Sequence, residues 1–116
     1  MDCTEEKISL SPNAIKVLEK RYLKRDAQGK PVERPEDLFM RVASTLANAD
    51  KKFGATDEEI KITTKKFYDF ITNRYFMPNS PTLMNAGREL GQLAACFVLP
   101  VVITFALAVN VKFLFA

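Results

Sequence analysis

Met77-Pro78-Asn79-Ser80-Pro81-Thr82-Leu83-Met84-Asn85-Ala86-Gly87 is the stretch on which the architecture turns. It holds two prolines, one glycine and several short polar side chains. Each proline removes a backbone donor and restricts the residue before it, so an ordered loop is expected here and no helix through Pro78 or Pro81. Phe76, Met77, Leu83 and Met84 are its expected apolar anchors. Downstream, residues 93–99 form an almost unbroken apolar run with Cys96 at its middle, the pattern of a short buried strand ended by Pro100.

Upstream the pattern is helical. Ser11-Pro12-Asn13 is a helix start, with Ser at the cap and Pro at the first helical position. Ile15, Leu18 and Tyr22 follow on one face, and Asp26-Ala27-Gln28-Gly29 with Pro31 breaks the pattern as a turn. Pro35-Glu36-Asp37 opens a second helix with Leu38, Phe39, Val42, Leu46 and Phe53 on its inner side and Gly54 as its stop. Thr56-Asp57-Glu58-Glu59 fits a capping box for a third helix that buries Ile60, Thr64, Phe67 and Ile71 and ends near Arg74. All three stripes are first of all core packing.

The 116 residues suffice for one small domain. Apolar residues at 47% and charged residues at 27% exclude wholesale disorder. The net charge of +3 is too small and too interspersed to indicate nucleic acid. Lys16, Lys20, Arg21, Lys24 and Arg25 are read as a solvent face, not a phosphate patch. The chain has no His, which excludes His-based metal sites and Ser-His triads. Two cysteines, Cys3 and Cys96, make no disulfide framework. Of the charged residues, only Lys112 falls beyond residue 89. The last quarter is therefore either buried on all sides or foreign to the rest.

A cysteine among apolar neighbours, as Cys96 is, most often packs inertly. Ala94 and Ala95 leave room beside it, and the loop upstream offers the Ser80 and Thr82 hydroxyls and backbone donors suited to phosphate or ribose oxygens. The residues alone leave a redox or nucleophilic site and an inert core thiol both open.

The stretch 77–87, followed by Leu90-Gly91-Gln92-Leu93-Ala94-Ala95-Cys96-Phe97-Val98-Leu99-Pro100-Val101, closely resembles the start of the catalytic barrel in ribonucleotide reductase large chains. Residues 13–23 and 35–43 resemble that family's N-terminal helical region. The wording is that of the adenosylcobalamin-dependent (class II) branch, and the likeness covers roughly residues 10–101. It implies a helical domain at 1–76, the start of the barrel at 77–101, and an apolar tail at 102–116 that does not match. The expected fold is thus mainly α: about three helices, then a loop and the first strand or strands of an incomplete α/β barrel.

The resemblance also implies roles. Cys96 matches the first of two cysteines that reduce the ribose 2′ position and close to a disulfide. Ala95 and Cys96 match substrate-touching backbone, and Thr82 matches a hydroxyl and N–H near the substrate phosphates. It implies a ribonucleotide substrate, a thioredoxin-like reductant, adenosylcobalamin with no contacting residue assignable in this chain, a homodimer for the intact enzyme, and a cytoplasmic location. The second thiol, the radical cysteine and the supporting Glu and Asn lie further along in the family, so the chain alone is expected to be inactive. Ala94 stands where relatives usually carry Ser. Lys24-Arg25-Asp26 with Gly29-Lys30 is faintly similar to the opening of an ATP-binding cone, but Pro35 starts a different helix at once, and the stretch is read as a solvated turn.

The tail is expected to be foreign to the fold, the product of a frameshift or a truncated gene, and prone to aggregate as an uncharged β-rich segment. Residues 97–116 also have the length of a membrane span, against which Pro100, Asn110 and Lys112 count. Two other readings therefore stand beside the reductase: a non-catalytic helical interaction module and a small tail-anchored membrane protein.

Overall fold

The computed structural model describes residues 8–89 and 91–96. Four α-helices follow in order: α1 Pro12–Arg21, α2 Pro35–Ala47, α3 Asp57–Thr72 and α4 Ser80–Asn85, with a 3-10 turn Asn48–Phe53 continuing α2. The starts of α1, α2 and α3 are those the sequence announces. Ser11 Oγ accepts from the Ala14 N–H at 3.2 Å, with Pro12 in the first turn. Thr56 and Glu59 exchange side-chain and backbone hydrogen bonds as a capping box. Asp26 Oδ1 accepts from the Gln28 and Lys30 N–H groups and shapes the expected turn, with Gly29 at φ +81°.

α2 is the centre of the domain and packs chiefly on α3. Its residues Leu38, Phe39, Val42, Ala43 and Ala47 are buried. Leu18 and Leu23 from the α1 side, Ile71 from α3, and Leu83 and Ala86 from the α4 side complete the cluster. α1 gives only Leu18 to the core from its own span, while Ile15 is exposed and Tyr22 is half-buried.

Four expectations are corrected. The 77–87 stretch is not all loop, because Ser80–Asn85 is helical. Pro81 sits in the first turn of that helix, where no N–H is needed, and Asn79 is its cap. Of the four expected anchors only Leu83 is buried, and Phe76, Met77 and Met84 are exposed. Phe53 is 88% exposed, because the chain tightens to 3-10 geometry from Asn48 and the six residues before Gly54 rotate out of the α2 phase. Residues 93–96 are neither strand nor buried, apart from a half-buried Leu93. A strand needs a ladder partner, and among the described residues the sole β pairing is an isolated bridge between Arg25 and Pro31. The barrel start is thus not shown. Residues 97–101 and the whole 102–116 tail lie outside the described residues.

Candidate active site

The expected site residues lie on α4 and on the segment after it. Asn79 caps α4: its Oδ1 accepts from the Thr82 N–H at 3.0 Å and lies 2.7 Å from the Thr82 hydroxyl. Thr82 is buried, and its Oγ1 is also 3.0 Å from the Leu93 carbonyl. A hydroxyl has one hydrogen, so Thr82 donates to Asn79 or to Leu93 at any moment. Asn85 Nδ2 donates to the Gln92 carbonyl at 2.8 Å. These two contacts bring Thr82 and the Cys96 segment together. Ala95 is exposed, and Cys96 is a free, exposed thiol. Ser80, the other hydroxyl of this stretch, pairs with Tyr22 Oη at 2.8 Å.

Two hollows stand out among the described residues. An apolar hollow between α1 and α4 is lined by Leu10, Val17, Tyr22, Phe39, Met77 and Leu83 among others, and a second hollow lies over Phe53, Ile62 and Lys66. Neither is lined by Thr82, Ala95 or Cys96.

What fixes α4 is an ion pair that sequence reasoning missed. Arg41, on α2, meets Glu33 through Nε at 2.7 Å and Nη2 at 3.1 Å, and both side chains are almost wholly buried. The same guanidinium donates to the Leu83 carbonyl at 3.3 Å and to the Ala86 carbonyl, at the C-terminal end of α4. Glu33 Oε2 also accepts from the Lys24 N–H at 3.0 Å. Burial pushes the Glu33 carboxyl up, but the Arg41 hydrogen bond, the Lys24 N–H and the attraction of Arg41 outweigh it and hold the group below its usual value. Arg88 lies close by. Its Nη2 donates to the Tyr22 carbonyl at 3.0 Å, and its buried Nε has no partner among the described residues. Burial, then the like charge of Arg41, push the Arg88 pKa down, with Glu33 opposing.

A signal for this pair did exist in the sequence. Arg41 stands three residues after Leu38 and beside Val42, on the inner side of an amphipathic helix, and a cation there requires a buried partner. Gly87 seals the arrangement at φ +68°, where a Cβ would come within 2.9 Å of Thr45 Oγ1 and 3.1 Å of Arg41 Cγ. Gly87→Ala is therefore expected to destabilise by about 1–3 kcal/mol through the left-handed backbone alone. Urea unfolding would measure it, and a loss under about 0.5 kcal/mol, the ordinary surface effect, would show that neither the left-handed backbone nor the contact with Thr45 constrains this position.

Residues 8–91 match the family described as "Ribonucleotide reductase, all-alpha domain". A vitamin B12-dependent ribonucleoside-diphosphate reductase of Thermoplasma acidophilum is 36% identical over 84% of this chain and 20% of its own length. One from Mycobacterium tuberculosis is 41% identical over 83% of the chain and 14% of its own length. A ribonucleoside-diphosphate reductase large subunit of Acanthamoeba polyphaga mimivirus is 42% identical over 73% of the chain and 9% of its own length. The chain thus spans a fifth or less of each of these relatives.

Proposed function

Because the chain belongs to the ribonucleotide reductase all-alpha domain family, we propose that it is the N-terminal helical part of an adenosylcobalamin-dependent reductase large chain, with Cys96 one of its two reducing thiols. The observation that carries this reading is the family match itself, which runs through α4 and up to residue 91, so that the next described segment presents Cys96. Its exposed thiol is available to chemistry, as a packed core cysteine would not be.

The overall conversion needs two electrons. Cys96 and a second thiol, supplied by the remainder of the enzyme, lose two hydrogens and join as a disulfide. The ribose C2′–O bond breaks, a C2′–H bond forms, and the hydroxyl leaves as water. A thioredoxin-like dithiol then restores both thiols by exchange. Thr82 is the phosphate-side contact: a phosphate oxygen would compete with Asn79 and Leu93 for its hydroxyl hydrogen. Ala95 and Cys96 supply backbone beside the sugar.

The vitamin B12 dependence of the Thermoplasma and Mycobacterium relatives supports adenosylcobalamin as the cofactor of the whole enzyme. When bound it supplies radical initiation. Among the described residues, neither of the two hollows described above is assigned to hold it.

Exposed Phe70, Tyr75, Phe76 and Met77 cluster in sequence at the α3–α4 junction. They support a face that the rest of a larger protein covers. Among the described residues no helix is long and apolar enough to cross a membrane.

The test is a chimera in which residues 1–96 replace the matched segment of the Mycobacterium reductase. With adenosylcobalamin and a dithiol it should reduce a ribonucleoside diphosphate, and Cys96→Ser should abolish dithiol-driven turnover while nucleotide still binds. A folded chimera whose Cys96→Ser form keeps the parental rate would overturn the assignment and favour the interaction module.

A further inference from the structure

We propose that Arg41 is a positioning residue for Cys96, acting through α4: pinned by Glu33, it fixes the end of α4, which in turn holds the carbonyls just ahead of the thiol. This rests on the reading of Cys96 given above, but the geometry can be tested apart from it.

The contacts form one continuous series. Glu33 fixes the Arg41 guanidinium with two hydrogen bonds. Arg41 holds the Leu83 and Ala86 carbonyls, which have no acceptor role inside so short a helix. From α4, Thr82 and Asn85 reach the Leu93 and Gln92 carbonyls at 3.0 and 2.8 Å. Cys96 is three residues beyond Leu93. Cys96 is a free, exposed thiol, and among the described residues these contacts, with Gln92 Nε2 donating to the Ala94 carbonyl at 3.5 Å, are what hold the segment that leads to it.

The series also explains why a charged pair is kept where hydrocarbon would serve for stability alone. A buried ion pair is often no more stabilising than apolar side chains of the same volume, but it fixes orientation. A planar guanidinium can bind a carboxylate and two carbonyls in one defined arrangement, which neither Lys nor Met can copy. Gly87, tight against Arg41 and Thr45, permits that approach.

The experiment uses the full chain with Cys3→Ser, spin-labelled at Cys96 and at Lys66→Cys on α3, and reads the distance distribution by pulsed electron resonance. A narrow distribution is expected, broadening about twofold in Arg41→Met and partly restored in Arg41→Lys. A second pair, Lys16→Cys with Lys66→Cys in a Cys96→Ser chain, should stay unchanged. A role in stability alone would lower the melting temperature and leave the first distribution narrow wherever the protein is folded, and that result overturns the proposal. If Arg41→Met loses its helical circular dichroism, Thr82→Val combined with Asn85→Ala decides, because together they cut both links from α4 to the Cys96 segment and leave the ion pair intact; no broadening there overturns the proposal too. A broadened distribution in a protein whose chimera shows no Cys96-dependent reduction would leave the positioning in place and remove the reductase role.

Discussion

Glu33→Ala is expected to destabilise the fold by about 3–5 kcal/mol, the cost of leaving the Arg41 charge buried without its carboxylate. The Leu83 and Ala86 carbonyls remain as acceptors but cannot neutralise it. For a domain whose total stability is on the order of 5–15 kcal/mol, this is a large share. Urea unfolding at neutral pH measures it, and a change below about 1 kcal/mol would mean that water reaches the pair. The same pair sets an acid limb. The folded pKa of Glu33 lies below its ordinary value of 4.5, so its contribution is present above that value and is lost as pH falls through it towards the folded pKa. The urea midpoint should therefore drop below about pH 5, and Glu33→Gln should flatten part of that drop. The slope that remains belongs to Asp37, raised by burial but lowered more by Arg34, to Asp57, held low by Lys51, and to Glu59, held low by the Thr56 N–H.

Phe39→Ala should cost about as much, roughly 3–5 kcal/mol, by a different cause. Phe39 is the largest fully buried side chain and lies in one cluster with Leu18, Ile71 and Leu83. Its removal deletes apolar contact and leaves a void beside the α1–α4 hollow, which Phe39 also lines. Phe39→Leu should recover most of the loss. If the alanine form unfolds at the parental urea midpoint, α1 and α4 must collapse into the gap, and the core is looser than its burial indicates.

The helices of the domain were legible because their start signals are local. Ser11-Pro12, the Thr56–Glu59 box and the Gly54 stop each act within a few residues, and all appear where the sequence puts them. α4 was hidden by the same proline rule that served elsewhere, since a proline breaks a helix interior but suits a first turn, and Asn79 with Pro81 is such a turn. Phe53 misled because periodicity presumes constant pitch, and the tightening after Ala47 changes it. The strand expected at 93–99 depends on a neighbour strand, which no local pattern can supply. In the candidate site, Thr82, Ala95 and Cys96 follow from family resemblance, whereas no local pattern pairs Glu33 with Arg41. The two are eight residues apart across a helix start, and only packing shows that both are inside.

Arg25 has a consequence of its own. Its guanidinium donates to the carbonyls of Glu19 and Lys20, at the end of α1, and to that of Gly29 across the turn. A trypsin-like protease must draw that side chain into its specificity pocket to cut the bond that follows. The solvent-facing bases Lys20, Arg21, Lys24 and Arg25 are thus not uniformly cleavable: at Arg25 the side chain is already engaged, and digestion there waits on unwinding of the last turn of α1.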